Sequence, residues 1–440
     1  MDQAWLDELS ELLRIPSISA DSAHADDVRR AGEWIAEYVR KAGGEAELIP
    51  GERHPLAIGE LRASTDADSA PTVIVYGHFD VQPPAPLDLW ESDPFEPEIR
   101  GEWLYGRGIA DDKGQLYALL KAAALLKAEG ALPVNVRVCC DGEEESGGDS
   151  ILDFIRDDER GGDVCVIFDS GMLARDVPAL DVATRGVILL HVRVRTGERD
   201  LHSGMYGGAA LNATHALIQA LSAVLARDGR VPEPLRAGIT PPTAEEREAW
   251  AQLTPGAEEL AGQGAVPLDP KAGEEFYERT WADAATDVTG IAAGKMEPNT
   301  TIAAEAQAIV TVRLAPGQDV PTIRATLERL LREALPDGAT LEVVYAHTAR
   351  PGLIPPGSKA VELALDAFER ALGVRPLLVR SGGTLPIVPV LADAGIPTIL
   401  TGFSLPESNI HSPNERLLVE YVPKAVDSAR ELFTSFARLR

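Results

Sequence analysis

Positive charge is scarce in this chain. Its 41 lysines and arginines face 69 aspartates and glutamates, a net charge of −28. Nucleic acid and anionic membrane both attract cationic surface, so neither is expected as a partner. Long apolar runs are missing as well: none approaches the roughly 20 residues that a membrane helix needs. The opening Met1-Asp2-Gln3-Ala4-Trp5-Leu6-Asp7 lacks the basic segment and apolar core of a signal peptide. Cysteine is limited to Cys139, Cys140 and Cys165, an odd set in apolar, strand-like surroundings. Buried thiols in a reducing cytoplasm are therefore expected. No neighbour would lower a thiol pKa, which argues against a catalytic cysteine. Short-period repeats and low-complexity linkers are absent too. With 440 residues, 45% of them apolar, the chain has enough material for two domains and a sizeable core.

What is present is an alternation of strand and helix patterns. Leu6, Leu9, Leu12 and Leu13 recur at helical spacing up to Pro16. A second helix carries Val28, Ala31, Ile35, Val39 and Ala42 and stops at Gly43-Gly44. Thr72 to Tyr76 is too evenly apolar to be half exposed and reads as a central strand. A helix near Lys113 to Glu129, a strand at Val134 to Cys140, a helix near Asp149 to Arg156 and a strand at Val164 to Phe168 continue an α/β layer structure. The rhythm changes at Arg185. A strand at Val187 to Val194, a helix beginning near Gly207-Gly208, a weakly patterned stretch from Ala226 to Pro298, and strands at Ala308 to Leu314 and Leu341 to Val344 read as an inserted domain. After Pro351 the alternation resumes.

The strand Val134 to Cys140 runs into Asp141-Gly142-Glu143-Glu144-Glu145. Adjacent carboxylates resist joint ionisation, and no Lys or Arg lies near in sequence to offset them. Four other stretches hold metal-type ligands: Gly77-His78-Phe79-Asp80; Gly106 to Gly114 with Asp111 and Asp112; Asp169 after Phe168; and His411 in a polar loop. His78 and Asp80, two apart, share a face if extended, which suits a ligand and the group that orients it. Open α/β sheets gather their sites at the carboxyl ends of strands, where Asp80, Glu144 and Asp169 all fall. Two His and three carboxylates suit divalent ions, zinc first, with cobalt or manganese as alternatives. A single zinc needs three protein ligands plus water, so five argue for two ions sharing a carboxylate. An acid left over beside them is a natural general base.

His78-Phe79-Asp80-Val81-Gln82-Pro83, the Gly-Arg-Gly-Ile-Ala-Asp-Asp-Lys-Gly run from Gly106, and the triple Glu together resemble a known family. It is the co-catalytic metallopeptidase family that includes carnosine dipeptidases, glutamate carboxypeptidases and aminoacylases. The likeness runs from Leu12 to His411, and Leu201-His202-Ser203-Gly204-Met205-Tyr206-Gly207-Gly208 leans toward the carnosine-dipeptidase branch. The resemblance implies an α/β fold. A discontinuous phosphorylase/hydrolase-like α/β/α catalytic domain, residues 1–183 and 348–440, would carry an inserted α+β lid and dimerisation domain, residues 184–347. It implies that Asp111 bridges two metals across a cis peptide bond to Asp112. His78 and Asp169 would complete one site, and Glu145 and His411 the other. Asp80 would orient His78, and Glu144 would be the base that deprotonates a bridging water for attack on an amide. His202 would reach the active site of the partner in a homodimer and steady the oxyanion. Thr300, Arg313, Gly383 and Thr384 would contact substrate, the last two holding its carboxylate. The expected activity is hydrolysis of dipeptides or short peptides with a free carboxylate. An N-acyl amino acid amidohydrolase and a noncatalytic metal- or peptide-binding relative are the alternatives. Ala303 and Ser381 depart from the family's usual residues, and Ala226 to Gly294 matches it poorly.

Overall fold

The computed structural model describes residues 2–294, 296–297 and 299–440. It is an α/β protein whose chain divides into two compact units. The first comprises Met1–Val182, Ile354–Val379 and Val390–Arg440. The second comprises Ala183–Leu353 and also Arg380–Pro389, a segment that the sequence reading left in the first.

In the first unit the main sheet takes the order Glu45–Ile49, Leu56–Leu61, Asn135–Asp141, Thr72–His78, Val164–Gly171, Thr398–Ser404, Ala179–Thr184. Thr72–His78 lies between two parallel neighbours, and Val164–Gly171 also runs parallel to Thr398–Ser404. Strands with neighbours on both edges and helices against the sheet bury both faces. Val73, Ile74, Val75, Tyr76, Val164, Val166, Ile167 and all three cysteines are accordingly buried. Each fully buried Val or Ile side chain contributes about 1.5–3 kcal/mol. The helix Lys113–Ala128 packs on Thr72–His78 and against Tyr421–Phe436. Because these strands are parallel, their carboxyl ends bring His78, the Asp141–Glu145 turn, Asp169 and the loop after Ser404 to one edge.

The second unit is built on an antiparallel sheet, Ala285–Ala293, Glu305–Leu314, Gly186–Arg195, Thr340–Ala349. Leu190, Val192 and Val194 point into a core with Leu217, Ala220, Ile323 and Leu327 from the helices Ala213–Ser222 and Val320–Glu333, while His191, Arg193 and Arg195 alternate outward. Two expectations need correction here. The helix expected near Gly207-Gly208 begins at Ala213, capped by Asn212, after a separate single turn at Ser203–Tyr206. The weakly patterned stretch holds the edge strand Ala285–Ala293 and the short helices Ala244–Trp250 and Gly256–Gly262. The strand escaped the pattern because it is rich in small residues and its register shifts between Val288 and Gly290. Pro298, at the end of that stretch, lies outside the described residues. Among the described residues no helix is long and apolar enough to cross a membrane.

Candidate metal centre

The strand Thr72–His78 delivers His78 to the sheet edge almost fully buried. Gly77 precedes it for a steric reason: a Cβ there would stand 2.6 Å from Asp112 Oδ2, which accepts the His78 N–H at 3.2 Å. His78 Nδ1 sits 3.1 Å from the Asp80 carbonyl and 3.4 Å from Asp80 Oδ1. That leaves Nε2 directed away, 2.9 Å from Asp111 Oδ1 and 3.9 Å from Asp169 Oδ1. Asp111 precedes the helix Lys113–Ala128, and its peptide bond to Asp112 is cis. Its other oxygen, Oδ2, lies 2.9 Å from His411 Nε2, which is in turn 3.3 Å from Glu145 Oε1. The result is two triads, His78–Asp111–Asp169 and Asp111–Glu145–His411, each with ligand atoms within 4.8 Å of one another, and Asp111 belongs to both.

The three consecutive glutamates face three ways. Glu143 turns inward and accepts the backbone N–H groups of Arg53 and His54 at 2.6 Å, and the Ser150 hydroxyl at 2.9 Å. It is a structural acid that ties the Gly51–Pro55 loop to the turn. Glu144 belongs to neither triad and accepts the Tyr76 hydroxyl at 3.1 Å. Burial pushes its carboxyl up to about 7; His78 opposes that shift, Asp80 and Glu145 reinforce it. Glu145 is held by Gln82 Nε2 at 2.8 Å, and its backbone N–H donates to Asp80 Oδ2 at 3.0 Å. Asp80 Oδ2 also accepts the Ser19 hydroxyl at 2.5 Å, which fixes the carboxylate beside His78.

The charge balance of this edge favours a cation. Among the described residues no Lys or Arg is within ion-pair distance of Asp80, Asp111, Glu144, Glu145 or Asp169. The nearby Lys113 turns away to the Leu12 and Ile15 carbonyls, and burial takes its ammonium down to about 7. Burial and neighbouring carboxylates hold Asp112, Asp141 and Asp169 well above the usual range. Asp111 and Glu145 push His411 up to about 10. Asp80 Oδ1 and Glu145 Oε1 are buried without a hydrogen-bond partner. Imidazole and carboxylate donors in two triads sharing one acid, in a place that stabilises positive charge, fit a pair of divalent cations.

Two residues that sequence reasoning passed over organise the centre. Glu415 is fully buried: its Oε1 accepts the Ala110 and Asp111 N–H groups at 2.9 and 3.2 Å, and its Oε2 accepts Gly108 N–H at 3.1 Å and Arg107 Nη1 at 2.6 Å. It thereby joins the His411 loop to the Asp111 loop, some 300 positions away in the chain. The loop itself is tightly wound, with Asn409, His411 and Asn414 all at positive φ. A left-handed histidine costs conformational energy, which the surrounding contacts must hold. The only sequence signal was that Arg107 lies in the run from Gly106 and Glu415 four residues after His411.

The remaining expected residues lie in the second unit. His202 is exposed, accepts the Gly204 N–H on Nδ1 at 3.0 Å, and lies in a two-residue strand paired with Thr301–Ile302. Thr300, beside that strand, accepts the Ser203 N–H at 2.7 Å. Arg313 Nη1 donates to Thr384 Oγ1 at 3.0 Å, and the Gly383 carbonyl accepts the Arg185 N–H at 2.9 Å. These form two local groups, His202 with Thr300 and Arg313 with Gly383 and Thr384, neither of which belongs to the metal triads.

Comparison with known proteins bears on this geometry. A model of the peptidase family M20/M25/M40 matches residues 74–435. The cysteinylglycine-S-conjugate dipeptidase of Corynebacterium striatum is 29% identical over 427 residues, 93% of this chain and 90% of that protein. The Beta-Ala-His dipeptidase of Homo sapiens is 27% identical over 425 residues, 92% of this chain and 81% of that protein. Among solved structures, an M20 family metallo-carboxypeptidase from Sulfolobus solfataricus matches with a TM-score of 0.87 at 26% identity, over 99% of this chain and 100% of that one.

Proposed function

The chain belongs to the peptidase family M20/M25/M40 and is a hydrolase, and from that premise we propose that it cleaves the amide bond of dipeptides or short peptides with a free C-terminal carboxylate. The observation that carries this reading is Asp111 shared between two triads, with Glu144 beside them and in neither. His78 and Asp169 would hold one divalent cation and Glu145 and His411 the other, with Asp111 common to both sets, zinc preferred and manganese or cobalt as alternatives. When bound, such cations polarise the scissile carbonyl and make a water acidic. Glu144 would take a proton from the attacking water and hand it to the leaving amine. A carboxyl raised to about 7 by burial is suited to both transfers, since a base works best near the operating pH. Asp80 fixes the ring of His78 so that Nε2 stays on the ligand side. The discontinuous first unit is the catalytic domain and the second the lid and dimerisation domain. Arg313, Gly383 and Thr384 receive the substrate carboxylate, and Thr300 adds a further contact. Three free, buried cysteines support residence in the cytoplasm.

The test is a panel of unblocked dipeptides set against N-acyl amino acids, run with metal content measured by elemental analysis. Higher kcat/KM on the dipeptides with two equivalents of metal is expected. Preference for the acyl set would move the protein to the amidohydrolases, and binding without turnover would make it a noncatalytic relative.

A homodimer in which His202 serves the neighbouring active site is part of the same reading. Mixing inactive His202→Ala protein with inactive Glu144→Gln protein should restore activity, because each heterodimer regains one complete site. Subunit exchange demonstrated without any recovery would remove His202 from that role.

A further inference from the structure

In the second unit, the loop that begins at Arg380 is gripped by segments far from it in sequence. Arg380 is 3% exposed and makes a bidentate pair with Glu246, Nε to Oε1 at 2.7 Å and Nη2 to Oε2 at 3.0 Å. The same guanidinium donates to the Thr240 and Pro241 carbonyls at 2.9 and 3.2 Å. The Gly382 carbonyl accepts Arg185 Nε at 3.1 Å, the Gly383 carbonyl accepts the Arg185 N–H, and Thr384 Oγ1 accepts Arg313. Gly382 is pressed so closely that a Cβ there would stand 3.0 Å from the Thr280 carbonyl and 3.7 Å from Trp281.

Glu246 is itself fixed by the local sequence. It is the third residue of the capping box of Ala244–Trp250, so its Oε2 accepts the Thr243 N–H at 2.6 Å while Thr243 Oγ1 accepts the Glu246 N–H. A capping glutamate ordinarily faces water; this side chain is 11% exposed, because its remaining acceptor capacity is spent on Arg380. At its other end the same helix places Trp250 edge-on to Trp281, 5.4 Å between ring centres, and Trp281 is the ring beside Gly382. The helix therefore brackets the loop at both ends.

A buried ion pair adds little net stability over apolar residues of the same volume. What a bidentate fork adds is direction, since two parallel hydrogen bonds fix the guanidinium plane. Two further guanidiniums, Arg185 and Arg313, donate to the loop it aims, and among the described residues no carboxylate lies within ion-pair distance of either. Burial, with the Arg313 charge added, brings Arg185 down to about 10, although Asp287 and Asp283 oppose that shift.

We propose that Glu246, acting through Arg380, is a positioning residue that sets the Ser381–Thr384 loop for the terminal carboxylate of the substrate. This rests on the carboxylate role proposed above for Gly383 and Thr384. It also assigns work to the weakly patterned Ala226–Gly294 stretch: it supplies the brace for a specificity loop.

The experiment compares a dipeptide that the protein hydrolyses with its C-terminal amide, on the full-length, zinc-loaded protein. Glu246→Gln is measured beside the double variant Glu246→Leu/Arg380→Met, which leaves no unpaired buried charge if the single change impairs folding. KM for the free acid should rise about tenfold or more, equivalent to about 1.4 kcal/mol, with kcat, zinc content and KM for the amide nearly unchanged. An acid-to-amide preference equal to the parent's in either folded variant would overturn the proposal. So would a fall in kcat matching the rise in KM, or loss of the fold in both variants, which would make the pair purely structural. A parent that hydrolyses dipeptides without preferring the acid overturns the carboxylate role of the loop and this inference with it. A parent inactive on dipeptides overturns the functional reading first.

Discussion

Replacing Glu144 by Gln is expected to lower kcat by about 10²- to 10⁴-fold, the usual worth of a positioned general base, while leaving metal content and KM close to the parent. Gln is nearly isosteric and keeps an acceptor for the Tyr76 hydroxyl, so the turn that carries Glu145 should survive. The loss then amounts to about 3–5 kcal/mol of transition-state stabilisation. Steady-state kinetics with parallel elemental analysis check it; turnover within a few-fold of the parent would take the base role from Glu144. The pH profile adds a second reading with a definite sign. A base works ionised, so kcat/KM rises with pH through its pKa. Burial puts that value at about 7, and bound cations draw it lower. The acid limb should therefore lie at or below pH 7, and the residual activity of Glu144→Gln should lack it.

Removing the cations should have the larger effect. Dialysis against a chelator is expected to abolish turnover, and zinc should restore it. Asp111→Ala removes the one acid common to both triads and should bring metal content from two equivalents to below one, with activity near background. Cation binding should also release protons, because burial and neighbouring carboxylates keep Asp169 and its neighbours protonated to higher pH than usual. Affinity should accordingly increase as pH rises. A ligand that binds only the folded chain at 100 times its Kd stabilises it by about 2.7 kcal/mol, so the melting temperature should climb with added zinc. Unchanged melting and full activity after exhaustive chelation would refute a metal-dependent reaction.

Much of this was legible without coordinates, for a physical reason. Metal donors and bases are few residue types, and α/β sheets collect them where strands end, so His78, Asp169 and the triple Glu announced themselves at the edges of apolar runs. Residues that act through backbone hydrogen bonds were not legible. Glu415 grips three N–H groups of the Gly106–Asp111 stretch, and apart from its place near His411 nothing in a linear reading distinguishes it from the other acids of so acidic a chain. Glu246 and Arg380 are separated by 134 positions, and the helix carrying Glu246 is too short to leave a periodic signature.

By itself the sequence determined the α/β layering, the donor types, and their order along the chain. Those depend on local apolar periodicity and on the chemistry of single side chains. Only the tertiary structure decided which oxygen of Asp111 meets which histidine, and that Glu143 turns to the backbone of Arg53 and His54 while Glu144 and Glu145 turn elsewhere. It alone placed Arg380–Pro389 with the second unit. Identical residues in a row carry no mark of direction. Direction comes from what the fold packs against each of them.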